Sequence, residues 1–247
     1  MIKDEKKVVE IYSGLAGDYH EFRQKKSFYN EYIEMPAMIK MLGNLKDKKI
    51  LDWGCGSGIY IRRLKNRCRE IKGFDISPEM VEIARELNPQ QDIRVGSGTK
   101  IPFKEKFDIV FAPLSIHYLK DLNPVFREVK RVLKKGGIFI FSTVNPIAKI
   151  GKTKKIGGKN YKVMFELDYF KLDRIEIFFK GKDGERVKVN NYLIKTGEVV
   201  RLCQEHGFEI VDYEDTKPVL NAKDKFPEEY SLYSKLPLFC IWKLRVR

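Results

Sequence analysis

Apolar residues recur along this chain in short runs, and their spacing changes character near Lys49. Residues 5–12 and 29–42 read as helices, the second with Met35, Met38, Ile39 and Leu42 at helical spacing. Residues 49–53 then form a compact apolar run that stops at a glycine cluster, as a buried strand does. A helix over 59–67, a strand over 70–75 and a helix over 78–87 follow. Ser77 suits the N-cap of that last helix and Pro78 its first turn. Residues 92–95 and 107–112 read as the third and fourth strands. Residues 123–133 are helical, with Val125, Phe126, Val129, Val132 and Leu133 on one face, and 138–143 form a fifth strand after Gly136-Gly137. This alternation predicts an α/β fold, a doubly wound and mostly parallel sheet with helices on both faces.

Beyond Thr143 the alternation breaks. Residues 145–162 read as a Gly/Lys-rich loop, and 174–179 with 186–192 as a β-hairpin around Gly181-Lys182-Asp183-Gly184. A helix over 196–205 ends at His206-Gly207, and 208–213 and 238–244 supply two closing strands. The expected organisation is a single domain over 1–247 with a helical cap over 1–45. Residues 145–192 are expected to be an insertion above the carboxyl ends of the strands, a candidate substrate lid.

With 247 residues, 43% of them hydrophobic, the chain can bury one sizeable core. No apolar run approaches the ~20 residues of a membrane span. The opening MIKDEKKVVE carries charge where a secretion signal needs an apolar stretch, so a cytoplasmic protein is expected. The four cysteines form no C-x-x-C pair and there are three histidines, so no metal-site spacing is present and unpaired thiols are expected. A formal charge of +14 favours anionic partners, RNA among them. The basic residues are nonetheless interleaved with acids, except over 149–162, where Lys152, Lys154, Lys155 and Lys159 crowd together. That stretch is either a solvated loop or a surface for RNA or an anionic substrate.

The sharpest motif is Leu51-Asp52-Trp53-Gly54-Cys55-Gly56-Ser57-Gly58, between the first strand and the first helix of the alternation. Gly54, Gly56 and Gly58 remove the Cβ atoms that would block a tight turn and a close ligand approach, and the helix start that follows presents backbone N–H groups. A nicotinamide fingerprint, G-x-G-x-x-G, would place its last glycine where this chain has Ile59. Asp75 sits at the carboxyl end of the second strand, an acceptor-only pair of oxygens suited to a vicinal diol.

The segment resembles the glycine-rich first motif of class I S-adenosylmethionine methyltransferases of the small-molecule, quinone- and sterol-methylating group. The order of later motifs fits the resemblance: GFDIS (73–77), GSGTKIPF (96–103), FDIVFAPLSIHYL (107–119) and REVKRVLKKGGIFIF (127–141). It implies a seven-stranded, Rossmann-like sheet with an antiparallel last strand, and S-adenosylmethionine as cofactor. It also implies cofactor contacts from Asp52, Gly54, Cys55, Gly56 and Gly58 in the first motif, and from Asp75, Ile76 and Met80 around the second strand. Further contacts are implied for Ser97, Gly98 and Thr99 in the third motif and for Pro113 and Leu114 in the fourth. The family's third motif usually carries an Asp that accepts from the adenine amino group; Ser97 stands there, so a weaker adenine contact is expected, with the Gly98 and Thr99 backbone sharing it. Tyr12 and Tyr19 resemble the aromatic pair that folds over the cofactor in these enzymes. Trp53 and Cys55 read as packing residues more than as chemistry.

Methyl transfer from a sulfonium needs binding, orientation and exclusion of water, and a base only where the acceptor must lose a proton. His117, just after the fourth strand, is the candidate catalytic residue; a hydrogen-bonded histidine framing the pocket is the competing reading. Ser115 and Tyr118 are further candidates for contact. The acceptor is expected to be a small molecule. RNA is supported only by charge, and the fourth strand ends in Ala112-Pro113-Leu114-Ser115, unlike the Asn/Asp-Pro-Pro-aromatic ending of base-amino methyltransferases. A non-catalytic S-adenosylmethionine-binding protein is the third possibility.

Overall fold

The computed structural model describes residues 5–6, 8–14, 28–149, 151–156, 160–165, 169–180 and 186–247. Seven strands make the main sheet: β1 (Lys49–Trp53), β2 (Glu70–Asp75), β3 (Ile93–Val95), β4 (Phe107–Ala112), β5 (Leu133–Val144), β10 (Phe208–Asp215) and β11 (Phe239–Val246). Their order is β10-β11-β5-β4-β1-β2-β3. β1 pairs in parallel with β2 and β4, β2 with β3, and β4 with β5. β11 runs antiparallel to both β5 and β10, so it alone opposes the rest of the sheet. The fold class expected from the alternation and the resemblance is the one observed.

Near-continuous apolar strands such as FDIVFA, buried along almost their whole length, reflect a sheet covered on both faces. One face carries α4 (Asn123–Val132) and α5 (Thr196–His206), which pack Phe126, Val129, Val199 and Leu202 against Phe139, Phe141 and Phe208. The other carries α1 (Met35–Leu42), α2 (Ile59–Leu64) and α3 (Pro78–Leu87), which bury Met38, Ile61 and Val81 against Ile50, Ile71 and Ile140. The sheet order reverses between β1 and β4. The loops leaving those two strands therefore diverge and open a crevice at the carboxyl ends.

Three elements differ from the sequence reading. The 145–162 stretch, expected as loop, contains a short helical turn (Pro146–Lys149) and strands β6 (Gly151–Ile156) and β7 (Asn160–Phe165), paired antiparallel from Gly151↔Phe165 to Ile156↔Asn160. Tyr161, Val163 and Phe165 alternate at strand period there, a signal masked by the lysine count. β5 starts at Leu133, five residues before the expected strand: Leu133 pairs with Phe107 and Ile138 with Ile109, and the irregularity between them holds Gly136 at a φ of +72°. α6 (Pro227–Tyr233) was not expected: it buries no residue fully and so shows no helical apolar stripe, although Pro227, Glu228 and Glu229 mark its first turn. The predicted second hairpin is present as β8 (Arg174–Lys180) and β9 (Arg186–Tyr192); its 181–184 turn lies outside the described residues. Among the described residues no helix is long and apolar enough to cross a membrane, and no cluster of metal-ligating side chains occurs.

Candidate active site

The glycine turn after β1 is fixed by the strand beside it. The N–H groups of Gly54 and Cys55 both donate to the Phe74 carbonyl at 2.9 Å. Gly54, Gly56 and Gly58 have φ values of +69°, +51° and +75°, a region that L side chains enter only at a cost. At Gly54 space is short as well: a Cβ would lie 2.8 Å from Ser115 Cβ, and Ser115 Oγ donates to the Trp53 carbonyl at 3.1 Å, joining the two diverging loops. Gly58 caps α2, and Asn88 Nδ2 donates to its carbonyl at 3.2 Å, so it holds helix to turn and does not face the crevice.

Asp75 closes β2. Its Oδ2 accepts from Gly56 N–H at 2.8 Å and its Oδ1 from Ser77 N–H at 3.0 Å, which aims the carboxylate across the glycine turn. Burial raises its pKa from the ordinary carboxylate value, while the Ser77 and Gly56 N–H groups pull the other way. Ser77 Oγ accepts from Met80 N–H at 3.2 Å and caps α3, setting Ile76 and Met80 beside the carboxylate.

These elements surround a pocket of about 710 Å³. Its walls come from the ends of four adjacent strands: Trp53, Gly54 and Gly56 after β1, Phe74, Asp75 and Ile76 at β2, Gly96 and Gly98 after β3, and Pro113, Leu114 and Ser115 after β4. Met80, Tyr118 and Leu119 complete one side, and the N-terminal helix brings Glu5, Val8 and Tyr12 over it. Tyr12 and Tyr118 hydrogen-bond through their hydroxyls with ring centroids 5.5 Å apart, and Tyr12 is buried. A neighbouring recess of about 420 Å³ shares Gly54, Gly56, Pro113 and Leu114, and adds Cys55, Tyr60 and Glu34.

Sequence reasoning missed Glu34. It lies at the end of a π-helical turn (Asn30–Glu34) that runs into α1, and it is fully buried. Its carboxylate accepts from Tyr60 Oη and Ser142 Oγ, each at 2.7 Å, and Ser142 Oγ accepts in turn from Leu114 N–H at 2.9 Å. Leu114 itself has a φ of +48°, a strained conformation for a leucine held where β4 meets the pocket. The π-turn sets Glu34 among the buried Tyr32, Ile33 and Met35.

Most of the residues singled out in the sequence meet at the pocket: Tyr12, Gly54, Gly56, Asp75, Ile76, Met80, Gly98, Pro113 and Leu114 line it. Trp53, read as packing, also lines it, and Cys55 lines the recess. Burial, with the Asp52 and Asp75 charges adding to it, pushes the Cys55 thiol up, so it stays neutral. Asp52 is fully buried in β1, behind the wall. Ser97 and Thr99 sit one layer back: Thr99 N–H donates to Ser97 Oγ at 3.0 Å, and both hydroxyls bond to Glu5. Tyr19 lies outside the described residues.

The structure does not bring His117 onto the pocket wall. It is buried behind Tyr118, ring centroids 4.7 Å apart, with Nδ1 3.4 Å from Thr143 Oγ1. The short helical turn (Ile116–Tyr118) presents Tyr118 instead, and burial pushes the His117 pKa down to about 3. The imidazole is therefore neutral in the folded protein and is no reservoir for a proton near pH 7. The unfolded chain takes up that proton below about pH 6.5, so between there and pH 3 stability falls with acidification by about 1.4 kcal/mol per pH unit. Urea unfolding at pH 7 and pH 5 should give wild type a loss about 2 kcal/mol greater than that of His117→Gln. Equal losses would show that His117 is not held neutral.

A mostly parallel sheet in this strand order, with β11 antiparallel between β5 and β10 and a crevice open at the reversal, is the class I methyltransferase fold. The methyltransferase-domain family model matches residues 51–141, the stretch from β1 to β5 that builds most of the pocket. An uncharacterized protein of Methanocaldococcus jannaschii is 31% identical over 221 residues, 89% of this chain and 83% of its own length. The demethylmenaquinone methyltransferase of Lactococcus lactis is 28% identical over 228 residues, 85% of each chain. The crystal structure of an S-adenosylmethionine-dependent methyltransferase from Mesorhizobium loti shares the fold with a TM-score of 0.71 at 24% identity, covering 86% of this chain and 97% of that one. Residues 51–141 of the chain are thus a methyltransferase domain.

Proposed function

We propose that the pocket holds S-adenosylmethionine and that the enzyme transfers its methyl group to a small, largely apolar molecule. The observation that carries the reading is the Asp75 carboxylate, fixed by Gly56 and Ser77 N–H groups and facing a pocket whose floor is a glycine turn. An acceptor-only group in that place suits the two hydroxyls of a ribose. Gly56, where a Cβ would meet nothing within 4 Å, leaves the turn open to a ligand's approach. Trp53, Ile76, Met80 and Leu119 supply apolar walls for a flat heterocycle. The recess suits the ammonium of an amino-acid tail, since the buried Glu34 carboxylate lines it.

When bound, the cofactor supplies a methyl group already activated on a sulfonium, which an acceptor electron pair takes in line as the carbon–sulfur bond breaks. The chain's own contribution is to bind, orient and exclude water. Tyr12 and Tyr118 close the pocket from above, and neutral His117 buttresses Tyr118 from behind. On the acceptor side, Leu114 abuts an apolar cluster in which Phe28, Tyr32 and Phe226 pack with centroids 5.3–6.3 Å apart. β9, in the 145–192 insertion, packs against the turn that carries Tyr118, which supports the insertion as the cover of the acceptor site. The demethylmenaquinone methyltransferase among the relatives is likewise named for a small-molecule acceptor.

The test is incorporation of labelled methyl groups from S-adenosylmethionine into an organic-soluble metabolite extract and, separately, into total RNA. Label in the extract alone is the expected result. Label in RNA alone would overturn the acceptor class, and saturable cofactor binding with no incorporation in either would favour a non-catalytic binding protein.

A further inference from the structure

Glu5 is the acidic group that the β3 end of the pocket lacks in its own strand. It sits 92 residues away in sequence, on the N-terminal helix, yet it lines the pocket and is only 2% exposed. Ser97 Oγ and Thr99 Oγ1 both donate to Glu5 Oε1, the Thr99 bond at 2.9 Å, so two hydroxyls that follow β3 hold one carboxylate in place. This end is adjacent to the diol-facing carboxylate: Val95 pairs with Asp75 across β2 and β3, and Gly96 N–H donates to the Asp75 carbonyl at 2.9 Å. The pocket therefore offers two carboxylates, Asp75 and Glu5, with the apolar surfaces of Trp53, Ile76 and Met80 among its walls.

We infer that Glu5 reads the exocyclic amino group of the adenine, taking from the N-terminal helix the role that the serine at position 97 cannot fill. The inference rests on the reading of this pocket as an S-adenosylmethionine site. A carboxylate has only acceptors to offer, so the ligand edge it faces must present donors, and on an adenine edge the donor is the exocyclic amino group. The hydroxyl of Ser97 is spent on Glu5, which turns the weak adenine contact expected from the serine into a support for a stronger, charged one. It also explains why an acidic residue at 97 would be out of place here: it would stand against Glu5 with like charge. A specificity residue on the N-terminal helix ties recognition of the base to the docking of that helix, the same segment whose Tyr12 meets Tyr118.

The test is calorimetric titration of the full chain with S-adenosylhomocysteine and with its 6-oxo analogue, S-inosylhomocysteine. Wild type is expected to favour the 6-amino ligand by tenfold or more. Glu5→Gln, the same size but able to donate, is expected to lose about tenfold in affinity for S-adenosylhomocysteine and to bring the ratio of the two ligands towards one. Ser97→Asp alone is expected to weaken binding, and Ser97→Asp in a Glu5→Ala background to recover most of what Glu5→Ala loses. That reciprocal pattern is one that a merely structural Glu5 does not produce. Unchanged or tighter binding by Glu5→Gln, as for a side chain that the ligand displaces, or a gain from Ser97→Asp alone, would overturn the inference. If wild type binds neither ligand, the cofactor reading of the pocket fails and the inference with it.

Discussion

Asp75→Ala is expected to lower affinity for S-adenosylhomocysteine by about 100- to 1000-fold while leaving a folded protein. In the proposed complex the carboxylate accepts two charge-assisted hydrogen bonds from a vicinal diol, each worth about 1.5–3 kcal/mol when the partner is otherwise left dry. The two do not add fully, so a loss of about 3–4 kcal/mol is expected. Part of the effect is indirect, because the alanine also releases the Gly56 and Ser77 N–H groups that Asp75 now holds. Asp75→Asn separates the contributions: it keeps an oxygen for one N–H but loses the charge and one acceptor, and should cost about tenfold. Titration of both variants, with thermal melting to check folding, decides the point. A tenfold or smaller loss for alanine would mean that the diol is held elsewhere.

Gly98→Val should do its damage in the fold. A Cβ at Gly98 would lie 1.8 Å from Cζ2 of Trp53 and 2.6 Å from Cε2, and the indole is buried against Phe74, ring centroids 5.9 Å apart. The ring can yield only by displacing Phe74 or by turning into the pocket, so overpacking of about 3 kcal/mol is expected, a fall in Tm of roughly 6–12 °C for a chain of this size. Gly56→Ala is the contrast: its Cβ meets nothing within 4 Å, and a φ of +51° costs about 1–2 kcal/mol of backbone strain. Its Cβ also projects at the ligand's approach, so binding suffers more than melting. Melting curves in which Gly56→Ala falls as far as Gly98→Val would show that the β3 end does not depend on the bare glycine under Trp53.

Where the candidate site is built from contiguous residues, the sequence places them together. The glycine turn, Asp75 and the Ser77-Pro78 helix start share one stretch of about 30 residues, and their chemistry follows from φ, caps and lone pairs, all local properties. The sheet, too, was legible, because strands buried on both faces are apolar runs separated by amphipathic helices. What stayed hidden is what the tertiary fold brings together from afar. Glu5 and Ser97 meet across 92 residues, and Glu34 meets Ser142 across 108, with nothing in their spacing to announce it. His117 lies off the pocket wall for a related reason: position along the chain puts it beside the pocket, but the helical turn after β4 presents Tyr118 to the wall and buries His117 behind it. The β6–β7 hairpin was missed because lysines on a two-stranded ribbon look, by composition, like a solvated loop.

The crevice at the reversal of the sheet stands or falls as an S-adenosylmethionine site on direct binding. The most direct measurement is calorimetric titration of the purified protein with S-adenosylhomocysteine, run beside NAD as the ligand of the related dinucleotide-binding sheets. One saturable site for S-adenosylhomocysteine and no heat with NAD is the predicted result. A well-folded protein that shows no saturable binding of S-adenosylhomocysteine, or that binds NAD in its place, would contradict it.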